Sequence, residues 1–152
     1  MYLCPMNSIS FVYETQFELN NPERVQNWIS YCLERNESHA KQISIAFMDD
    51  DALLHINKKF LSHDYLTDVI TFDYSVGKEI SSDIAISVDR VRDNASSQGN
   101  DFDEELRRVI IHGILHCCGY NDKTIKEKTL MTHKENECLE MFHVELNNKK
   151  NV

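Results

Sequence analysis

Apolar residues alternate along the start of the chain at Ile9, Phe11 and Tyr13, with Val12 between them, which predicts a first strand ending near Phe17. Asn21-Pro22 then has the form of an N-cap followed by proline at the first helical position. Val25, Trp28, Ile29, Cys32 and Leu33 recur at helical spacing, so the helix that follows buries one face. Alternation returns at Ile43, Ile45 and Phe47, a second strand, and Asp49 or Asp50 is placed to cap a short helix through Leu53, Ile56 and Phe60. The β-rich run from Val69 to Tyr74 and the alternating Ile84, Ile86 and Val88 predict two further strands. Val76-Gly77 marks a turn between them, hence an antiparallel hairpin. The polar stretch from Asn94 to Asn100 reads as a loop. A helix follows from about Asp103, burying Leu106, Val109, Ile110, Gly113, Ile114 and Cys117, and Gly119 suits a left-handed C′ position. A last helix carries Leu130, Met131, Cys138, Leu139, Phe142 and Leu146, with fraying expected from Asn147. The order βαβα, then ββαα, predicts one α+β domain over residues 1–152, in which a small mixed four-stranded sheet packs with four to five helices.

Composition narrows the class. A chain of 152 residues is long enough for one domain with a real core, and 41% hydrophobic with 27% charged residues is the balance of a soluble globular protein. No apolar run approaches the ~20 residues needed to cross a bilayer. Met1 to Phe11 carries neither Lys nor Arg and no sustained apolar core, so it is not a secretory signal; a cytoplasmic protein without a membrane partner is expected. The cysteines are Cys4, Cys32, Cys117, Cys118 and Cys138, an odd number with no CxxC pair, so reduced thiols are expected. A net charge of −9 argues against non-specific nucleic-acid binding through overall charge, while leaving room for a local basic cleft. Acidic runs at Asp49-Asp50-Asp51, Asp101 to Glu105 and Glu135 to Glu145 read as solvated faces. So do the basic runs at Lys58-Lys59, Arg107-Arg108 and Lys123 to Lys128.

The candidate chemistry lies in His112-Gly113-Ile114-Leu115-His116-Cys117-Cys118-Gly119-Tyr120-Asn121-Asp122. Two histidines four apart occupy one helix face and can converge on one divalent metal. With seven histidines, about 0.3 such pairs arise by chance, so the pair alone is weak. Its setting adds to it. Gly113 removes bulk where another backbone or a ligand can approach, Gly119 lets the chain leave the helix sharply, Tyr120 can pin the loop, and Asp122 can fold back. Two imidazoles and a carboxylate suit zinc with a fourth position open, the mark of a catalytic rather than a structural site. Gly113 stands where HExxH peptidases carry their Glu base, which argues against that chemistry. Cys117, His133 and His143 stay open as alternative ligands. His39, His55 and His63 lack a partner at ligand spacing.

These eleven residues resemble the signature of the YbeY family of bacterial metal-dependent endoribonucleases, HGxLHLxGYDH. Asn57-Lys58-Lys59-Phe60-Leu61-Ser62-His63-Asp64-Tyr65-Leu66-Thr67-Asp68-Val69-Ile70-Thr71-Phe72 is similar to the family's NxxYRxxDxPTDVLSF, and Ser82-Asp83-Ile84-Ala85-Ile86-Ser87 to its GDIxIS segment. The three blocks keep their order over roughly residues 40 to 142. The resemblance implies an α+β domain with one Zn2+ in a cleft, held by His112, His116 and Asp122. In this reading His112 and His116 are catalytic through the water that the metal activates. It implies endoribonuclease action on single-stranded RNA in rRNA processing, notably 16S rRNA 3′-end maturation, and in ribosome quality control. The partners it implies are rRNA and the small ribosomal subunit, and not DNA. The alternative is a ribosome-associated RNA-binding factor with a structural metal and little nuclease activity.

Two positions depart from the family pattern. The third ligand, commonly His, is Asp122, whose carboxylate offsets metal charge and makes a bound water less acidic. The family arginine falls at Leu61, which cannot bind phosphate; Lys58, Lys59, Arg90, Arg107 and Lys123 are candidate substitutes. Asp68 is expected to cap a turn rather than act in catalysis. Asn57 lines the cleft or caps the short helix, two roles the sequence does not separate.

Overall fold

The computed structural model describes residues 8–150, with side chains from 8 to 144. Cys4 and the segment before Ser8 lie outside the described residues, as does the side chain of Leu146. The elements in chain order are β1 (Ile9–Tyr13), α1 (Pro22–Arg35), β2 (His39–Met48), α2 (Asp50–Leu61), β3 (Val69–Asp73), β4 (Glu79–Ser87), α3 (Val88–Gln98), α4 (Phe102–Cys117) and α5 (Ile125–Lys150). This is a single α+β domain with a four-stranded mixed sheet and five helices. Among the described residues no helix is long and apolar enough to cross a membrane.

The sheet order is β1-β2-β4-β3. β1 and β4 both run parallel to β2, and β3 returns antiparallel to β4, the expected hairpin, across a turn in which Gly77 takes φ 59°. Alternation makes both sheet faces apolar. On one, Ile43, Ile45, Phe47, Ile84 and Ile86 join the main core with α1, α3, α4 and α5. On the other, Met48, Ile70 and Ala85 form a smaller cluster with Leu53 of α2. The sheet thus lies between α2 and the other helices, except where the start of α2 meets that of α3. Trp28, fully buried on α1, ties that layer together: its indole N–H donates to Cys138 O at 2.6 Å, and its ring meets Phe142 edge-on at 5.6 Å.

Several boundaries differ from those the pattern predicts. β1 stops at Tyr13, and Phe17 leaves the sheet to pack on Phe47 with ring centroids 5.1 Å apart. Asn21 precedes α1 in the left-handed region (φ 50°) without a side-chain cap bond. Asp49 caps α2 by accepting from Ala52 N–H at 2.9 Å, while Asp50 turns away to Ser87 Oγ (2.7 Å) and Arg90 Nε (3.0 Å). Val88 is not strand but the first residue of a helix the pattern did not predict. Ser87 caps it, Val91 and Ala95 bury its inner side, and its polar outer face had read as a loop from Asn94. The last helix continues to Lys150 where fraying was expected from Asn147.

Gly113 explains how closely α4 lies on the sheet. A Cβ there would meet Thr71 Oγ1 of β3 at 3.1 Å and two methyls of Ile84 of β4 at 3.4 Å. Valine at 113 overfills this contact. Gly113→Val is therefore expected to cost about 1–3 kcal/mol of stability in urea unfolding, with Gly113→Ala well below that.

Candidate metal centre

α4 carries His112 and His116 one turn apart, half-buried, with rings nearly perpendicular and centroids 4.6 Å apart. The Nδ1 atom of each is engaged away from its partner ring. His112 Nδ1–H donates to Glu135 Oε2 at 2.6 Å, and His116 Nδ1–H donates to Tyr120 O at 2.9 Å. A carboxylate and a carbonyl oxygen only accept, so the proton of each neutral ring sits on Nδ1 and the Nε2 lone pairs are free. Those two Nε2 atoms face each other at 3.0 Å, and each lies 3.3 Å from Asp122 Oδ2. Sequence reasoning placed all three residues together, and the fold brings them together.

Three lone-pair atoms held this close repel unless a cation or a proton sits among them. Their 3.0–3.3 Å triangle matches one face of a tetrahedron with bonds of about 2.0–2.1 Å, whose edges are about 3.3–3.4 Å. These residues can hold a metal ion. In its place a proton is favoured. Burial works to lower the His112 pKa, but the hydrogen bond and charge of Glu135, with Asp122 and Asp68, outweigh it and raise the value above the ordinary 6.5.

Glu135 is the residue of this centre that the sequence reading missed. It was assigned to a solvated acidic run, yet its side chain is only 8% exposed. Its second oxygen accepts from Arg108 Nη1 at 2.9 Å, and Arg108 Nη2 donates to Asn136 Oδ1 at 2.9 Å. A signal was present. With Met131, Cys138, Leu139 and Phe142 at helical spacing, Glu135 falls on the buried stripe of α5. Imidazoles that bind metals typically have their second nitrogen tied to a carboxylate or carbonyl in this way.

Two clefts meet at the triad. One, of about 380 Å³, runs along α4 and α5 past Arg108, Lys128 and Thr132. The other, of about 490 Å³, runs between β3 and the loop after α2 and is lined by Leu61, His63 and Tyr65. His112, Asp122, Asp68 and Val69 border both. Lys58, Lys59, Arg90, Arg107 and Lys123 line neither, so the expected substitutes for the family arginine are not at the site. Lys58 pairs with Asp64, Arg90 with Asp50, and Arg107 lies over the Phe142 ring. The cations present are Arg108 and Lys128.

The remaining candidates separate cleanly. Cys117 is buried, its thiol pushed up to about 11 chiefly by burial, and it is not in the triad. His133 and His143 are exposed on α5 near Glu137 and Glu104. Among the described residues, Cys32, Cys117, Cys118 and Cys138 form no disulfide. Asn57 is buried and borders the second cleft, and it also clamps the chain after α2: its carbonyl accepts from His63 N–H (3.1 Å) and its amide donates to Tyr65 O (2.9 Å). Asp68 contributes its carbonyl to Ser87 N–H at 2.9 Å and borders both clefts. Tyr120 does pin the loop, its hydroxyl donating to Asn36 Oδ1 at 2.9 Å.

The raised His112 pKa has a signed consequence. In metal-free protein its stabilising effect is full below about 6.5 and is lost as pH rises through the raised value. Thermal unfolding against pH should decline over that window in wild type and flatten in Glu135→Gln. The same variant should bind metal about 10–100-fold more weakly in calorimetric titration.

Comparison with known proteins agrees with this geometry. A family profile described as Endoribonuclease YbeY matches residues 11–143. A Flavobacterium johnsoniae protein named Endoribonuclease YbeY is 50% identical over 137 residues, which is 90% of this chain and 99% of that one. A protein of the same name from Christiangramia forsetii is 47% identical over 137 residues, 90% of this chain and 96% of its own. A solution structure from Thermotoga maritima shares the fold with a TM-score of 0.65 at 24% identity, covering 93% of each chain. With residues 11–143 matched by the family profile and about 90% of its length matched by relatives of that name, the chain belongs to the YbeY family of endoribonucleases.

Proposed function

We propose that this protein is a zinc-dependent endoribonuclease that cuts single-stranded RNA in rRNA processing, at the 3′ end of 16S rRNA and in ribosome quality control. We place it in the cytoplasm, with the small ribosomal subunit as its partner. One observation carries the reading: His112 Nε2, His116 Nε2 and Asp122 Oδ2 form a group of three ligand atoms, with no fourth among the described residues, where two open clefts meet. Structural zinc sites close with four protein ligands, whereas catalytic ones hold three.

Zinc bound there supplies a Lewis acid for a phosphoryl oxygen and an acidified water, less acidified with the Asp122 carboxylate than with a third imidazole. The chain's own groups do the rest. Glu135 and Tyr120 O hold the two imidazoles in the tautomer that presents Nε2. Arg108 and Lys128, beside Asp68, Glu105, Asp122 and Glu135, are the cations that one cleft offers an RNA backbone. The reading of a binding factor with a structural metal draws on Leu61, which borders a cleft without Lys or Arg. A group of three ligand atoms rather than four favours the nuclease.

Purified wild type is expected to carry one zinc per chain by elemental analysis and to cut single-stranded RNA. Asp122→Ala should lose most of the zinc and at least about 100-fold in kcat, and His116→Ala should do the same. Full zinc in Asp122→Ala removes Asp122 from the ligand set; zinc-replete wild type that leaves RNA intact supports the binding factor. Asp122→His removes the anionic ligand, so the alkaline rise of kcat should move to lower pH.

A further inference from the structure

We propose that the stacked pair His63–Tyr65 is a nucleobase platform, a specificity-determining element that holds an unpaired base beside the triad. This rests on the single-stranded RNA reading above. The two rings lie nearly parallel, 21° apart with centroids at 5.1 Å, and Tyr65 Oη and His63 Nδ1 are hydrogen-bonded at 3.0 Å. Both residues are exposed, Tyr65 by 56%, and both border the same cleft as His112, His116 and Asp122.

An exposed aromatic pair is not held in place by core packing, so its position needs another cause. Asn57, 1% exposed, fixes the backbone at both members: it accepts from His63 N–H and donates to Tyr65 O. Ser62, in the left-handed region at φ 57°, turns the chain out of α2 to reach this clamp. The pair is therefore preorganised, as a binding surface must be.

Charge selects the occupant. Neither Lys nor Arg borders this cleft, while Asp68, Asp73 and Asp122 do. A phosphate is repelled there, but a neutral base stacks on an aromatic face whatever its identity. The other cleft shares Asp68 and Asp122 and adds Glu105 and Glu135, but it alone of the two holds cations, Arg108 and Lys128, that a backbone phosphate can meet. A strand crossing the triad then meets cations on one side and rings on the other. A duplex cannot offer an unstacked base, so the platform selects for single strands.

The test is steady-state cleavage by zinc-loaded protein of a single-stranded RNA and of versions abasic at each position in turn. Tyr65→Ala should raise KM about 10-fold with kcat within about twofold. Tyr65→Trp should restore KM, and His63→Ala should fall between. One abasic position should weaken wild type by a similar factor and leave Tyr65→Ala unaffected. Unchanged KM in Tyr65→Ala, or abasic losses equal in wild type and Tyr65→Ala at every position, overturns the platform while the nuclease stands. Absence of cleavage by zinc-loaded wild type overturns the nuclease reading instead. The same abasic series read by fluorescence anisotropy then decides the platform, and equal affinities at every position reject it.

Discussion

A buried carboxylate needs partners for both oxygens, and the way Glu135 meets that need organises the centre. One oxygen takes a guanidinium N–H from Arg108 and the other takes the imidazole N–H of His112, so α4 and α5 are joined through the residue that also sets a tautomer. Neither half of this arrangement works alone. Without Arg108 the carboxylate keeps an uncompensated charge in a desolvated place; without His112 it loses its shorter hydrogen bond. The same bond turns the His112 lone pair toward Asp122. Packing between two helices and the electronic state of a ligand nitrogen are one interaction.

That bond has a precondition in the sheet. α4 has to lie close enough to β3 and β4 for its histidines to border the clefts, while Ile110, Ile111, Ile114 and Leu115 stay in the core. Gly113 permits this, since the space a side chain would take is filled by Thr71 and Ile84. The glycine between the histidines therefore belongs to the packing of the helix rather than to the chemistry of the metal. It faces the sheet at the position where HExxH peptidases carry their Glu base.

What could be read from the sequence was whatever leaves a periodic or short-range trace. The strands alternate, the β3–β4 hairpin has a turn, and the histidine pair with its carboxylate fits within eleven residues. The trace failed where one property masked another. α3 buries only Val88, Val91 and Ala95, so its Asn, Ser and Gln residues read as a loop. Glu135 sits among Lys134, Asn136 and Glu137, and its polar neighbours hid its place on the inner stripe of α5. His63 was set aside for want of a second ligand nearby in sequence, but its neighbours in the cleft come from α4 and from the loop after it. The order β1-β2-β4-β3 depends on pairing between distant strands, which periodicity does not encode.

The three residues that can hold a metal, and their immediate supports, all lie between Arg108 and Glu135, on one helical hairpin and its loop. The wall that faces them comes from residues 57 to 73, on the other side of a long stretch of chain. The candidate ligand set is thus local in sequence and the opposing wall remote, and the two meet through Gly113, packed on Thr71, and through Asp68 and Val69, which border both clefts. Leu61 lies on the remote part, bordering the second cleft away from those meeting points. A substitution at that position changes what the second cleft presents while leaving the sequence of the ligand-bearing hairpin untouched.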